Sequence, residues 1–301
     1  MSRDRLIADI NRRKRELGAV ILAHNYQPPE IYEVADFIGD SLELARRAAE
    51  VRPPLIVFCG VRFMAETAKL LCPDSTVVLA EPHAGCEMAD MISAEALGAM
   101  RARLGDVTVV AYVNTPADVK AESDICCTSA NAVRVIESLP ADRRILFVPD
   151  RNLARYVARE TRRDIIPWEG FCYVHALFTP EDVDRARREH PDAYVVAHPE
   201  CPLEVIDRSD EVASTGGMLR LAAHHSRLVL GTEVGMCQRV RREYPDCECS
   251  PMRRMALCRN MKRTTLARVR EALEGGVEPV AVPGDIAARA RRAIELMLGI
   301  G

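Results

Sequence analysis

The stretch Ala19-Val20-Ile21-Leu22-Ala23-His24-Asn25-Tyr26 begins with an apolar run that ends at His24. The same form recurs at residues 108–114, where the run ends on Tyr112, and at residues 193–200, where it ends on His198. In all three segments an aspartate follows twelve residues later and a hydroxyl seventeen residues later, as Asp36 and Ser41, Asp124 and Ser129, and Asp210 and Thr215. A shared spacing of this kind indicates an internal repeat.

The repeat continues beyond the hydroxyls. Each hydroxyl opens a helical pattern, which a second apolar run follows at residues 55–60, 145–150 and 228–233. A loop with a cysteine comes next, and these cysteines, Cys86, Cys172 and Cys258, are spaced 86 residues apart. Short Val/Ile/Leu runs that alternate with helical patterns are typical of parallel sheets covered by helices on both faces.

The predicted fold class is therefore α/β. We expect three small α/β domains, each with three αβα layers, related by pseudo-threefold symmetry around a central active-site cleft. The expected boundaries are 1–84 together with 284–301 for the first domain, 85–170 for the second and 171–283 for the third. The tail contains an amphipathic helix, Asp285 to Leu298, which we expect to pack on the first domain.

Composition places the chain among ordinary globular proteins. Of 301 residues, 48% are apolar, and 41 basic against 44 acidic side chains give a formal net charge of −3. This balance lacks the basic excess of a nucleic-acid-binding surface, so no nucleic-acid partner is expected. No run approaches the roughly 18 to 20 apolar residues of a membrane span, and residues 2–17 form an Arg-rich helical pattern unlike a signal peptide. A cytoplasmic protein without a membrane partner is expected.

The eleven cysteines are the most informative feature of the composition. An odd number in a chain expected in the cytosol argues against a disulfide framework and favours metal binding or catalysis. Cys59, Cys72 and Cys237 lie inside apolar patterns and are expected to be small buried core residues.

The strand ends predict an anion site. In open α/β sheets, ligands lie beyond the carboxyl ends of the strands, where His24, Tyr112 and His198 are expected. Ser41, Ser129 and Thr215 occupy N-cap positions in the predicted helices, so three helix N-termini would face the same region and favour a ligand with several acidic groups. The alternative is that each hydroxyl only caps its helix.

The three evenly spaced cysteines predict a metal centre with an open position. Three thiolates are one fewer than a structural zinc site usually has. They would suit a 4Fe-4S cluster whose fourth iron acts as a Lewis acid, or a zinc ion that keeps a water. The spacing alone does not separate these two. A metal-binding sensor without turnover and a zinc-dependent lyase or aldolase remain alternative functions.

Further polar residues extend the predicted site. Glu200 and Tyr26 follow the strand ends and suit general acid or base chemistry, and Asn114 extends the lining. His175 lies three residues after Cys172 on the same loop. It is expected either to support that loop or to contact the substrate.

Several long motifs resemble the quinolinate synthase family over nearly the whole chain. They are His24-Asn25-Tyr26-Gln27, Gly39-Asp40-Ser41, Phe58-Cys59-Gly60-Val61-Arg62-Phe63-Met64-Ala65-Glu66-Thr67-Ala68, Tyr112-Val113-Asn114-Thr115, His198-Pro199-Glu200-Cys201 and Ser214-Thr215-Gly216.

The resemblance implies an oxygen-sensitive 4Fe-4S enzyme of NAD biosynthesis. Such an enzyme condenses iminoaspartate with dihydroxyacetone phosphate to quinolinate, with release of two waters and phosphate. It also implies iminoaspartate handover from an aspartate-oxidising enzyme.

By this likeness each predicted site residue takes a role. Tyr26 and Glu200 would move protons with His198 assisting, and His175 would lie near the substrate. The implied cluster ligands are Cys86, Cys172 and Cys258, and the implied substrate-binding residues are His24, Ser41, Tyr112, Asn114, Ser129, His175, His198, Glu200 and Thr215.

One region departs from the family pattern. Some members carry Cys-x-x-Cys near the third cluster cysteine, whereas Cys247-Glu248-Cys249 precedes Cys258 here. We expect Cys247 and Cys249 to be incidental surface residues, with a redox-sensitive pair as the alternative.

Overall fold

The computed structural model of the protein describes residues 2–300. It contains three parallel four-stranded sheets with the same strand order, β2-β1-β3-β4, β6-β5-β7-β8 and β10-β9-β11-β12. The α/β fold class with three similar αβα units is confirmed.

The elements follow the repeat. The first unit contains α1 (Arg3–Glu16), β1 (Ala19–His24), α2 (Pro29–Tyr32), β2 (Phe37–Gly39), α3 (Ser41–Val51), β3 (Leu55–Cys59), α4 (Arg62–Leu71) and β4 (Thr76–Leu79). The second contains α5 (Ala94–Leu104), β5 (Thr108–Tyr112), α6 (Ala117–Ala121), β6 (Ile125–Cys127), α7 (Ala132–Glu137), β7 (Ile145–Val148), α8 (Arg151–Thr161) and β8 (Ile165–Pro167). The third contains α9 (Pro180–Glu189), β9 (Tyr194–Ala197), α10 (Leu203–Ile206), β10 (Glu211–Val212), α11 (Thr215–Leu221), β11 (Arg227–Gly231), α12 (Gly235–Glu243) and β12 (Glu248–Pro251). The chain ends with α13 (Leu266–Leu273) and α14 (Gly284–Ile300), and short 3-10 turns lie at Ala89–Met91 and His175–Leu177.

The strand order determines where a ligand can bind. In each sheet the two central strands, such as β1 and β3, send their following connections to opposite sides. This leaves a crevice beyond their carboxyl ends, the usual ligand position in open α/β sheets. All four residues of β7 and four of the five in β3 are buried, as expected for strands covered on both faces.

The repeated aspartates have a structural role. In each unit the aspartate carboxylate accepts a backbone N–H from the first strand of the repeat, at 2.8, 2.7 and 2.8 Å, for the pairs Asp36 and Ile21, Asp124 and Val109, and Asp210 and Val195. A cation from the preceding helix pairs with each aspartate, at 2.8, 2.9 and 2.8 Å, and these cations are Lys14, Arg101 and Arg187. The repeated aspartate therefore connects the preceding helix, the first strand and the following loop in each unit.

The two C-terminal helices lie differently from the expected boundaries. Helix α13 packs on α1 and β3 of the first sheet, although the boundary at 283 assigned it to the third domain. Helix α14 contacts α4 of the first unit, but its larger contact is with α6 and β6 of the second. Its apolar face, which includes Ala290 and Ile294, fits either neighbour, so the sequence could not decide between them. The domain division itself stays a prediction.

Two local expectations also change. We expected the first strand of the third unit, β9, to end at His198, but it ends one residue earlier, at Ala197. Cys247 and Cys249 are buried rather than at the surface, and Cys249 lies close to Cys237 on α12. Their place is in the core of the third unit.

Among residues 2–300, no helix combines the length and apolar character needed to span a bilayer.

We predict that Asp124→Ala lowers the free energy of unfolding by about 1 to 3 kcal/mol, because the buried N–H of Val109 loses its carboxylate acceptor. Asp106→Ala is the matched control, since Asp106 also pairs with an arginine, Arg143, at 2.6 Å but has a side chain that is 86% exposed. Urea unfolding of the metal-free protein measures both. Equal, small losses in the two variants would refute the structural role of the repeated aspartate.

Candidate active site

One cavity lies where the three units meet. The space between its walls, with the open mouth included, is about 710 Å³. All thirteen residues predicted for the site line it, namely His24, Tyr26, Ser41, Cys86, Tyr112, Asn114, Ser129, Cys172, His175, His198, Glu200, Thr215 and Cys258. Residues up to 234 positions apart in the sequence, His24 and Cys258, are thus assembled at the carboxyl ends of three sheets.

Each cysteine loop is tied to the start of a helix in the same way. The carbonyl two residues before the cysteine accepts a backbone N–H from that helix start, at 2.9 Å in every unit, for the pairs Arg62 and Ala84, Arg151 and Gly170, and Val234 and Ala256. In the second unit this close approach requires glycine, because a Cβ at Gly170 would lie 2.5 Å from the Pro149 carbonyl oxygen.

The three thiols share an electrostatic environment. Burial raises the pKa of all three thiols, those of Cys86, Cys172 and Cys258. For Cys86 the pKa rises to about 12. In every loop the backbone amide three residues after the cysteine acts in the opposite direction, from Ala89, His175 and Met261. These amides favour the thiolate, which is the form that binds a metal.

The sulfur atoms are not packed around a single point. The ligand atoms of Cys172, His175 and Glu200 all lie within 4.8 Å of one another. The three cysteine sulfurs do not form such a group in the part of the chain that the structure describes. Tetrahedral zinc binds thiolates at about 2.3 Å, which would bring three sulfurs to about 3.8 Å from one another. At least one pair of these sulfurs is therefore farther apart than a single zinc ion would hold it.

Two buried histidines are neutral hydrogen-bond donors. Nδ1 of His24 accepts the N–H of Tyr26 at 3.2 Å, and Nδ1 of His198 accepts the N–H of Glu200 at 3.3 Å. Burial lowers the pKa of both rings to about 3, aided by Lys262 near His24 and by His175 near His198. An accepting Nδ1 in a neutral ring leaves the proton on Nε2, so both rings can donate from Nε2.

A chain of hydrogen bonds connects two tyrosines across the site. Tyr112 Oη donates to Glu200 Oε1 at 2.5 Å, and Glu200 Oε2 lies 2.8 Å from His175 Nδ1. His175 Nε2 lies 2.9 Å from Thr232 Oγ1, which lies 2.6 Å from Tyr26 Oη. Every member of this chain is at least nine-tenths buried.

The charge on this chain resides on Glu200. Burial raises the pKa of Glu200, but the imidazoles of His175 and His198 and the hydrogen bond from Tyr112 outweigh burial and hold the pKa below its ordinary value. Burial and the nearby Glu200 raise the pKa of Asp150. An ionised Glu200 can only accept hydrogen bonds, so His175 Nδ1 donates to it, and the other ring nitrogen, Nε2, shares the next hydrogen bond of the chain with Thr232.

The hydroxyls line the cavity but do not cap their helices, which corrects the expectation for Ser41, Ser129 and Thr215. Ser41 and Thr215 are the first residues of α3 and α11, and Ser129 lies three residues before α7. The N-cap positions belong to Asp40, Asn131 and Ser214. Because Asp40 and Ser214 bind the free amides of α3 and α11, Ser41 and Thr215 are not used as caps there.

Asn114 has an unmet hydrogen-bonding group. Its buried Oδ1 has no hydrogen-bond partner among residues 2–300. A buried polar atom without a partner is costly, so its position in the wall of the cavity indicates a ligand that donates to it.

The sequence analysis missed several residues of the site. Asp40 and Glu233 line the cavity, while Thr232 and Asp150 lie buried around it. Thr232, Glu233 and Asp150 end the second apolar runs of their repeats, where the three units carry different residues. The first runs could be matched by a shared histidine or tyrosine, but the second runs offered no shared side chain.

Comparison with known proteins gives one family. The family model described as "Quinolinate synthetase A protein" matches residues 8–299. The quinolinate synthase of Methanoregula boonei is 54% identical over 294 residues, which are 97% of this chain and 97% of the relative. Those of Desulforudis audaxviator and Thermococcus onnurineus are 52% and 50% identical, each over 99% of both chains. The resemblance found in the motifs is confirmed.

We predict that His24 makes the protein less stable in acid. Its pKa is about 3 when folded and about 6.5 when unfolded, so between these values only the unfolded chain binds the proton, and the free energy of unfolding falls as the pH falls. His24→Gln cannot titrate and should reduce the loss between pH 7 and pH 5 by about 2 kcal/mol. Urea unfolding of the metal-free protein at the two pH values tests this, and an unchanged pH dependence would contradict it.

Proposed function

The chain belongs to the quinolinate synthetase A family, and from that membership we propose that it condenses iminoaspartate with dihydroxyacetone phosphate to quinolinate in NAD biosynthesis. The reaction balances with the release of two waters and one phosphate. The observation that carries the proposal is the single cavity in which three cysteine loops meet neutral histidine donors and a buried carboxylate. Both substrates are acidic, and the reaction consists of proton transfers and eliminations, which these groups suit.

We propose Cys86, Cys172 and Cys258 as the ligands of a 4Fe-4S cluster. Three soft thiolate donors suit iron and sulfide. Among the described residues the three sulfurs do not all lie within 4.8 Å of one another, yet they line one cavity together, which supports the cluster over the zinc alternative. When bound, such a cluster would supply an iron without a cysteine ligand as a Lewis acid towards a nitrogen or oxygen of the substrate.

The remaining polar groups would bind the acidic parts of the substrates. His24 and His198 donate from Nε2, and the hydroxyls of Ser41, Ser129 and Thr215 add donors for carboxylate and phosphate oxygens. The unpartnered Oδ1 of Asn114 would accept from a substrate N–H or O–H. Tyr112 and His175 complete this set.

Tyr26 and Glu200 would transfer the protons, with His198 assisting. Burial raises the pKa of Tyr26 well above its usual value, so its hydroxyl keeps the proton. In the neutral form of the chain, Tyr26 donates to Thr232, Thr232 to His175, and His175 to Glu200. Movement of each of these protons by one hydrogen bond would carry a proton from Tyr26 to Glu200 and leave Glu200 neutral. The reverse movement, from a protonated Glu200, would restore the Tyr26 hydroxyl, in both cases without solvent.

We also propose that the apolar part of the cavity wall limits the access of water to bound substrates. Apolar side chains form part of its wall, namely Val61, Phe63, Met64, Met88 and Val174. Limited water prevents hydrolysis of reactive imines and strengthens the hydrogen bonds inside.

We also propose a cytoplasmic setting. All eleven cysteines are free and thiol chemistry requires a reducing compartment. Iminoaspartate is unstable in water, so handover from an aspartate-oxidising enzyme would suit this cavity.

The test is to purify the protein without oxygen, supply both substrates, and measure iron, sulfide and quinolinate. We expect about four irons per chain together with quinolinate. Cys258→Ala should lose the cluster and the activity, whereas Cys247→Ala, a change of a buried cysteine outside the cavity, should keep both. Iron without quinolinate would overturn the proposed reaction and leave a metal-binding sensor. Normal iron in Cys258→Ala would overturn the ligand assignment.

A second prediction concerns the hydrogen-bonded chain. Thr232→Val keeps the shape of the side chain but removes the hydroxyl between His175 and Tyr26, so kcat should fall at least about a hundredfold. Thr232→Ser, which restores a hydroxyl, should recover most of kcat. Iron content should stay at the wild-type level in both variants, and a valine variant with wild-type kcat would exclude the relay.

A further inference from the structure

The three repeats differ at one position beside the cysteine loops. Arg62, Arg151 and Val234 donate the equivalent backbone N–H to the three cysteine loops. The residue before each donor is Val61 in the first unit, Asp150 in the second and Glu233 in the third. Asp150 and Glu233 are 0% and 1% exposed. Carboxyl groups are rarely buried to this degree without a specific set of partners.

Asp150 connects a helix start to the Cys172 loop. Its Oδ1 accepts the N–H of Leu153 at 2.7 Å, which makes Asp150 the N-cap of α8. Its Oδ2 accepts the N–H of Cys172 at 3.0 Å. A helix cap needs one oxygen, and here the second oxygen binds the amide of a cysteine 22 residues further along the chain.

Glu233 makes the corresponding connection in the third unit. Its Oε2 accepts the N–H of Gly235, at the start of α12, at 2.7 Å. Its Oε1 accepts the N–H of Cys258 at 3.2 Å. Lys262, four residues after that cysteine, pairs with Oε2 at 3.0 Å and donates to the carbonyl of Tyr26. Asp150 and Glu233, although of different length, thus each bind a backbone N–H at a helix start and the backbone N–H of the cysteine in their own unit.

The first unit has an apolar side chain at this position. Val61 is 1% exposed and offers no side-chain acceptor to the Cys86 loop. That loop keeps the backbone bond from Arg62 to Ala84, which all three units share, and the Arg62 guanidinium also donates to the Pro82 carbonyl at 3.1 Å.

We infer that Asp150 and Glu233 are positioning residues for two of the three cluster cysteines, an inference that rests on the proposed 4Fe-4S cofactor. Each carboxyl group fixes the backbone of its cysteine against a helix start and so directs the thiolate into the cavity. Without it, a buried cysteine N–H loses its acceptor and the loop can turn away. Groups that orient metal ligands commonly change metal affinity by about 10 to 100-fold.

The test uses Asp150→Asn and Glu233→Gln, which keep size and one accepting oxygen but replace the other oxygen with a donor. The matched controls are Asp124→Asn and Asp210→Asn in the same two units, because these aspartates also accept a backbone N–H but do not contact a cysteine loop. Thermal unfolding of the metal-free variants ensures that each is folded.

Two readouts are taken, neither of which is activity. The first is the rate at which an iron chelator removes iron from the anaerobic protein. It should rise at least about tenfold in Asp150→Asn and Glu233→Gln and stay at the wild-type rate in the controls. The second is amide hydrogen exchange in the metal-free protein. Exchange should accelerate at Cys172 in the first variant and at Cys258 in the second.

Wild-type rates for both readouts in both variants would overturn the inference, as would equal acceleration in the controls. If the wild-type protein binds no iron, the proposed cofactor fails. The exchange rates at Cys172 and Cys258 then decide whether the two carboxyl groups hold the loops.

Discussion

Three backbone hydrogen bonds, one per unit and each 2.9 Å long, hold the cysteine loops against the helix starts beyond the central strands. The positions of Cys86, Cys172 and Cys258 in the cavity depend on these three bonds. Because the three sheets share one strand order, the same bond places each cysteine beside the crevice of its own sheet. The three crevices open on one cavity, so a single-chain repeat provides three similar ligands without a second subunit.

The electrostatics of the cavity follow from burial combined with fixed hydrogen bonds. Backbone amides hold His24 and His198 as neutral donors, and the charge of the hydrogen-bonded chain is on Glu200. Charged groups would be costly here, whereas neutral donors aimed into a partly dry cavity favour an acidic ligand. The repeat places equivalent residues at equivalent strand ends. The residues themselves differ between units, as His24, Tyr112 and His198, and so provide different functional groups.

Much of this arrangement could be predicted from spacing alone. The seventeen-residue interval and the 86-residue period selected nine of the thirteen predicted residues that line the cavity, because equivalent positions in a repeat fold to equivalent places. Spacing could not show that Asp40 and Ser214 cap their helices in place of Ser41 and Thr215, since neighbouring polar residues are all good caps. It could not find Thr232, whose role comes from contacts with His175 and Tyr26. Nor could an amphipathic pattern show that α13 packs on the first sheet.

In the proposed site, three cysteines, one from each unit, hold a cluster with one iron free for the ligand. Mössbauer spectroscopy of protein reconstituted anaerobically with ⁵⁷Fe, recorded with and without quinolinate, examines that iron itself. We expect one iron in four to differ from the rest and its signal alone to shift when quinolinate is added. Four equivalent irons that do not respond to quinolinate, or a protein that binds no cluster, would contradict it.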